Sequence, residues 1–355
     1  MIRARWGVMG TGWIASLFAE ALPTAPGATL QAVASRDPSR ARAFAARHAA
    51  VRWHAGYEAL VQDPEVDVVY VATPNHRHRA DALLALDAGK PVLVEKPFAL
   101  DAAEGREIVE VARRRRVFCM EAMWMRFSPA LREALAAARA GAIGEPSLLS
   151  AQLGFANEPD PSSRLFSIPG GGALLDLGVY PLSLAHALFG RPARVASRAM
   201  LGATGVDEQV VATLEYRGGA QAAIAVSLRS PLANDASVHG TRGLIRIHAP
   251  LYFPRRYEVI PVEPARPRTG APPPPGARAR LRRNPLAQAV ADGIRSLRPR
   301  GVVRRVAGAG YGLEAVEVMR CLAEGLSESP AMPLDETIAV LETADAIRAR
   351  WADPA

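Results

Sequence analysis

Lysine is almost missing from this sequence. Of 43 basic residues in 355, only Lys90 and Lys96 are lysines, and the rest are arginines. In a chain so biased, arginine stands wherever a surface cation suffices, so a retained lysine marks a position that asks for a compact ammonium. Cysteine is scarce too. Cys119 and Cys321 lie far apart and match neither a disulfide framework nor a metal-ligand spacing, which excludes a stapled secreted module and makes a reducing cytoplasm the expected compartment. No apolar run is long enough to span a bilayer. The longest weakly charged stretch, 171–190, carries Asp176, Pro181 and His186 and reads as a buried helix. The start, MIRARWGVMG, lacks the apolar centre of an export leader, so no signal peptide is expected.

What is present is ordinary globular stock, 49% hydrophobic and 22% charged, long enough for two domains with separate cores. The net charge of +8 is local. Between Arg255 and Arg305 thirteen arginines face Glu258, Glu263 and Asp292, so the remainder is close to neutral. This basic stretch, about 266–305, includes APPPPG and a short helix expected after Asn284 and Pro285. It reads as a solvated surface insertion. Contact with a polyanion or an acidic membrane surface is the alternative; no nucleic-acid partner is expected.

The first 121 residues alternate β-rich runs (RWGVM, TLQAVAS, VDVVYVA, PVLVE, VFCM) with helical patterns, which predicts a parallel sheet covered on both faces. From 122 to 355 the texture changes. A helix ending at Gly141, a strand, and the long helix after Gly170–Gly172 precede several alternating runs broken by Gly, Pro and Asp. Those runs predict an open, largely antiparallel sheet, closed by two terminal helices. The fold class is therefore α/β in two domains.

Three signals carry chemistry. GTGWIA, Gly10 to Ala15, follows the first strand and opens the first helix. Gly10 and Gly12 permit a tight turn and close approach of a pyrophosphate, and the helix N-terminus supplies amide donors. At the end of the second strand stands Ser35-Arg36-Asp37-Pro38-Ser39-Arg40. Asp37 suits either a ribose hydroxyl or an N-cap role, whereas Arg36 and Arg40 suit a 2′-phosphate, so NADP is expected with NAD as the alternative. Next, VLVEKPF delivers Glu95 and Lys96 to the ligand-binding edge of the sheet. Finally, GGGALLDLGVY places Asp176 and Tyr180 at i and i+4 on one face of the buried helix. They read either as a packed tyrosine with a satisfied aspartate or as a working pair, in which a lysine beside a tyrosine lowers the phenol pKa. His76 and His78 are close in sequence but have no third ligand nearby, so no metal is expected.

GTGWIA, TPNHRH at 73–78, EKP at 95–97 and GGGALLDLGVYP at 170–181 resemble, in order and spacing, the glucose-fructose oxidoreductase / inositol dehydrogenase / MocA family, over nearly the whole chain apart from the basic insertion. The resemblance implies an N-terminal Rossmann domain and a C-terminal α/β domain that commonly mediates dimerisation. It implies a homodimer or higher homo-oligomer, and hydride transfer between a nicotinamide and a sugar, polyol or cyclic diol. Tyr180 stands where most members have histidine, which is similar to the subgroup of dihydrodiol and NADP-dependent D-xylose dehydrogenases. That subgroup implies Tyr180 as general acid/base, Lys96 as its pKa partner and Asp176 as an orienting carboxylate. Gly10, Thr11, Gly12, Trp13, Ile14, Ser35, Arg36, Arg40, Thr73, Asn75, His78, Glu95 and Lys96 are then expected at the cofactor. Trp124, Arg126, Phe155, Asp176 and Tyr180 are expected at the substrate, and Ser183 differs from the Asp common at its place. A non-catalytic, cofactor-binding regulator of the same fold is the rival reading; the joint presence of Lys96, Asp176 and Tyr180 favours an enzyme.

Overall fold

The computed structural model describes residues 3–262 and 301–352 together with Pro285; most of the basic insertion, with its expected Asn284 helix, lies outside the described residues. The N-terminal half alternates β1 (Ala4–Met9), α1 (Trp13–Ala21), β2 (Ala28–Ser35), α2 (Pro38–His48), β3 (Arg52–Ala55), α3 (Tyr57–Gln62), β4 (Val68–Val71), α4 (His78–Asp87), β5 (Val92–Glu95), α5 (Ala102–Arg115) and β6 (Cys119–Ala122). Its six parallel strands are ordered β3-β2-β1-β4-β5-β6, so the order reverses between β1 and β4. In such a sheet the crevice beyond the carboxyl ends at that reversal is where ligands bind. The inner strands are buried on both faces, and for that reason they read as continuous apolar runs instead of alternating ones. The sequence pattern missed β3: its four residues RWHA are largely exposed at the sheet edge and carry no apolar alternation.

The chain continues through α6 (Pro129–Arg139), β7 (Pro146–Gly154), α7 (Val179–Phe189), β8 (Arg194–Leu201), β9 (Asp207–Glu215), β10 (Gln221–Ser227), β11 (Ala236–Gly240), β12 (Gly243–Ile247), β13 (Arg256–Pro261), β14 (Val302–Val303), α8 (Gly312–Ala323) and α9 (Leu334–Ala349). A second sheet runs β14-β13-β12-β11-β7-β10-β9-β8, antiparallel at every pairing except β7 with β10. Helix α9 packs back onto α5 as well as α7. Gly105 of α5 makes that approach close, since a Cβ there would sit 2.8 Å from Leu341 Cδ1. One buried apolar cluster, running from Trp6 and Phe18 through Trp124 to Ile245, joins the two sheets and fixes the groove between them.

The helix expected after Gly170–Gly172 is not regular. Residues Leu174–Gly178 form a π turn, and the α-helix begins only at Val179. Pro181 supplies the reason: it has no N–H, and in a regular α-helix its ring would press on the carbonyl of Leu177, which the wider turn relieves. Both cysteines are buried and free. Among the described residues no helix is long and apolar enough to cross a membrane.

Candidate active site

At the reversal point β1 turns into α1 through Gly10, whose φ of +105° and close approach to Ala72 O (2.6 Å from a Cβ) leave room for no side chain. Gly12 is the N-cap of α1 and offers no side-chain cap. The first turn holds no acidic residue, so its amides face a cleft of about 190 Å³ as free donors for an anion. Gly10, Thr11, Gly12, Trp13 and Ile14 line one side of this cleft; Ser35, Arg36, Arg40 and Thr73 line the other. Thr73 Oγ1 is buried there with no hydrogen-bond partner. This cradle fits a dinucleotide: bare amides for the pyrophosphate, an orphaned hydroxyl, and two guanidinium groups at the far end. Asp37 is occupied elsewhere. It caps α2, accepting from Ser39 N at 2.9 Å and Ser39 Oγ at 2.6 Å, and these bonds hold its carboxyl below the usual range.

The cleft opens into a second cavity of about 280 Å³ that collects the remaining sequence candidates. Thr73, Asn75, His78, Glu95 and Lys96 line it from the Rossmann side, and Trp124, Phe155, Asp176 and Tyr180 from the other. Lys96 Nζ donates to the backbone oxygen of Asp176 at 2.8 Å and lies 3.2 Å from Asp176 Oδ1. The same ammonium stands 5.0 Å from the centre of the Tyr180 ring. Tyr180 is 6% exposed, and its hydroxyl accepts from Trp124 Nε1 at 3.0 Å. Trp124 is itself stacked between Tyr311 (4.0 Å) and Phe253 (4.7 Å).

Two expectations need correction here. The i, i+4 pairing of Asp176 with Tyr180 does not form; in the π turn Asp176 is taken by Lys96, and Tyr180 bonds Trp124. The phenol pKa is raised, not lowered. Burial is the largest cause, the Glu95 charge adds to it, and only the Trp124 bond opposes. Lys96 Nζ is engaged by Asp176, and the phenol keeps its proton.

Arg126 is the third correction. It is 8% exposed and faces away from the cavity, bonding Ser183 Oγ at 3.2 Å, Ala331 O at 3.3 Å and the Glu336 carboxylate. It ties α7, through Ser183, to Ala331 and to Glu336 in the first turn of α9. His78 borders the cavity but is a strut: its ring nitrogens lie 2.7 Å from Pro97 O and 2.9 Å from Thr73 O, and burial lowers its pKa. Glu95 is buried, bonded by the Tyr70 hydroxyl and by Lys96 N at 3.1 Å, and burial raises its pKa. His76 borders a separate small cavity. Among the described residues no group of three or more His, Cys, Asp or Glu is placed to hold a metal.

Sequence reasoning missed Tyr252, Tyr311 and Arg164. The two tyrosines complete an aromatic wall with Trp124, and Arg164 borders both cavities. Tyr252 and Tyr311 sit in short turns far apart in the chain, with no motif to flag them. Arg164 is hidden by the abundance of arginine.

Comparison with known proteins agrees with this geometry. The family described as "Oxidoreductase family, NAD-binding Rossmann fold" (GFO_IDH_MocA) matches residues 4–123, and the GFO/IDH/MocA C-terminal domain matches 131–246. The chain is 34% identical over 348 residues to trans-1,2-dihydrobenzene-1,2-diol dehydrogenase of Bos taurus, covering 97% of this chain and 96% of that one, and 33% identical over 355 residues to the Homo sapiens protein of the same name. Among solved structures, a 3-ketoreductase from Actinomadura kijaniata in complex with NADP and TDP-benzene shares the fold at a TM-score of 0.80 and 23% identity, covering 98% of each chain. A levoglucosan dehydrogenase in complex with NADH and levoglucosan shares it at 0.78 and 22%, covering 99% of this chain and 98% of that one.

Proposed function

The chain belongs to the Gfo/Idh/MocA family of NAD(P)-dependent oxidoreductases, and we propose from that premise that it interconverts a hydroxyl and a carbonyl on a sugar, polyol or cyclic diol, prefers NADP, and uses Tyr180 as its proton-exchanging group. The observation that carries this reading is the meeting of Lys96, Asp176 and Tyr180 around one aromatic-walled cavity that opens directly from the dinucleotide cleft. The diol dehydrogenases of similar sequence support a small hydroxylated substrate, and Phe155, Tyr252 and Tyr311 give the cavity aromatic walls against which a carbocycle or sugar can pack. The enzymatic reading therefore stands over the regulatory one. The domain boundary is taken at 121/122, and the assembly as a homodimer or higher homo-oligomer.

The residues divide the work. The α1 amides and Gly10–Gly12 would hold the pyrophosphate of the dinucleotide, and Arg36 with Arg40 would pair a 2′-phosphate. When bound, the dinucleotide supplies the hydride donor or acceptor at C4 of the nicotinamide. Tyr180, held by Trp124, presents its hydroxyl to the substrate oxygen. Because burial and Glu95 keep the phenol protonated, it is set to give its proton to the oxygen of a carbonyl as that oxygen becomes an alkoxide. In the opposite direction Tyr180 must first lose that proton, and Lys96 is the nearest cation to favour the phenolate. Reduction is accordingly the direction favoured near neutrality, and oxidation gains as pH rises. Asp176 fixes Lys96 and lines the cavity.

Tyr180→Phe tests the reading. Loss of the proton-transfer group costs about 10²- to 10⁴-fold in turnover, with NADPH affinity unchanged by fluorescence titration. Near-normal turnover of Tyr180→Phe on a substrate found by screening sugars, inositols and cyclic diols would make the tyrosine a packed aromatic.

A further inference from the structure

The segment that carries Asp176 and Tyr180 packs on the second sheet through buried leucines and is tied to it by a buried carboxylate. Asp207, the first residue of β9, is 6% exposed, and its Oδ2 accepts from the backbone N–H of Leu174 at 2.6 Å, with the Ala173 N–H directed at the same group. Leu174 opens the π turn. The approach depends on Gly172: its φ is +111°, and a Cβ there would stand 2.2 Å from Asp207 Oδ1. Burial pushes the Asp207 carboxyl up to about 6, and the cation acting on it is Arg348 of α9. A neutral acceptor would fill this place at lower cost. A carboxylate gives two charge-assisted acceptors for amides at the start of a helical segment, where a negative charge is favoured.

The segment is thus held at three points: Asp207 at its start, Lys96 on the Asp176 carbonyl, and Trp124 on the Tyr180 hydroxyl. The last two are themselves candidate site groups, whereas Asp207 is a polar anchor outside the cavity, acting beside the apolar packing of the segment on β10, β9 and α9. A π turn is rare and occurs mostly as a single-turn bulge inside an α-helix, frequently at functional sites. Pro181 favours the wider turn, and the Asp207 contact fixes where it starts.

We propose that Asp207 is a positioning residue for the reaction site: by anchoring the Leu174 amide it sets the phase of the π turn and so the angle at which Asp176 meets Lys96 and Tyr180 faces the cavity. This rests on the role proposed above for Tyr180. Small displacements of a proton-transfer group are costly, and a shift of about 1 Å can lose on the order of 10²-fold.

The test compares Asp207→Ala, Asp207→Asn and Gly172→Ala in the full chain by steady-state kinetics, NADPH titration and hydrogen exchange followed by mass spectrometry. Asp207→Ala is expected to lower kcat about 10- to 100-fold, to leave NADPH affinity within about two-fold, and to speed exchange in peptides covering 173–180. Asp207→Asn keeps one acceptor and is expected to recover kcat to within about three-fold of the wild type, with slow exchange restored. Gly172→Ala, which crowds the carboxylate while leaving it in place, should reproduce the Asp207→Ala exchange pattern and stands in if that variant does not fold. Unchanged exchange at 173–180 in both Asp207→Ala and Gly172→Ala would overturn the proposal, as would Asp207→Asn being as impaired as Asp207→Ala. Faster exchange with unchanged kcat would also refute it, and would point at the Tyr180 assignment, because the segment would then be loosened without effect on the chemistry.

Discussion

Replacing Asp207 by Asn should change stability in a pH-dependent way whose sign follows from the burial of this carboxylate. Its pKa is raised from 3.8 to about 6 by desolvation. Below 3.8 the folded and unfolded chains both carry the proton, and ionisation contributes nothing. As pH rises the unfolded chain releases its proton first, while the folded chain holds it until about 6. Native stability is therefore lost across that window, and the loss is complete above it. A gap of about two pH units, at roughly 1.4 kcal/mol each, amounts to about 3 kcal/mol at pH 8. Asparagine avoids this penalty but has one acceptor where the carboxylate has two, which returns about 1 kcal/mol. The net expectation is a gain of about 2 kcal/mol at pH 8, raising Tm by roughly 4 °C for a protein of this size, and no gain near pH 4.5. Thermal melts followed by circular dichroism at the two pH values measure it. An equal shift at both, or a loss at pH 8, would refute the assignment of a buried, penalised carboxylate.

Other expectations follow from the same contacts. Arg36→Ala should weaken NADPH by about tenfold or more and leave NADH nearly unchanged by titration, since a charged contact to phosphate contributes roughly 1.5–3 kcal/mol. Arg126→Ala should destabilise the fold by about 3 kcal/mol in urea melts, because it leaves Glu336 without its buried partner, while KM for substrate stays put; a KM effect without loss of stability would restore Arg126 to the pocket. Lys96→Met should reduce turnover and move the rising, acid-side limb of the oxidation profile to higher pH, since a cation beside the Tyr180 ring is removed. Glu121, buried and pushed up to about 7, repeats the logic of Asp207: Glu121→Gln should stabilise the protein at pH 8 and not at pH 4.5 by the same melts.

Much of this molecule was legible in the chain because local chemistry decides it. The Gly10–Gly12 turn, the bare start of α1, the cap that Asp37 builds with Ser39, and the strand that ends in Glu95 and Lys96 are all set by residues within a few positions of one another. The alternation of strands and helices up to Ala122 was legible for the same reason, as was the antiparallel run of the second sheet. Lys96 stood out by composition alone. What only the tertiary structure decided involves partners far apart in sequence. Spacing suggested that Asp176 serves Tyr180, but Pro181 widens the turn and a lysine 80 positions away takes the carboxylate. The pKa direction of Tyr180 depends on how much water the folded chain removes, a quantity no motif contains. Arg126 looked like a substrate ligand until Ser183 and Glu336, 57 and 210 positions on, claimed its guanidinium. Tyr252, Tyr311 and Arg164 join the site from separate segments, and Asp207 reaches Leu174 from β9. Sequence periodicity records which face of an element is buried; it does not record which distant side chain is there to meet it, because that is fixed only when the two sheets pack.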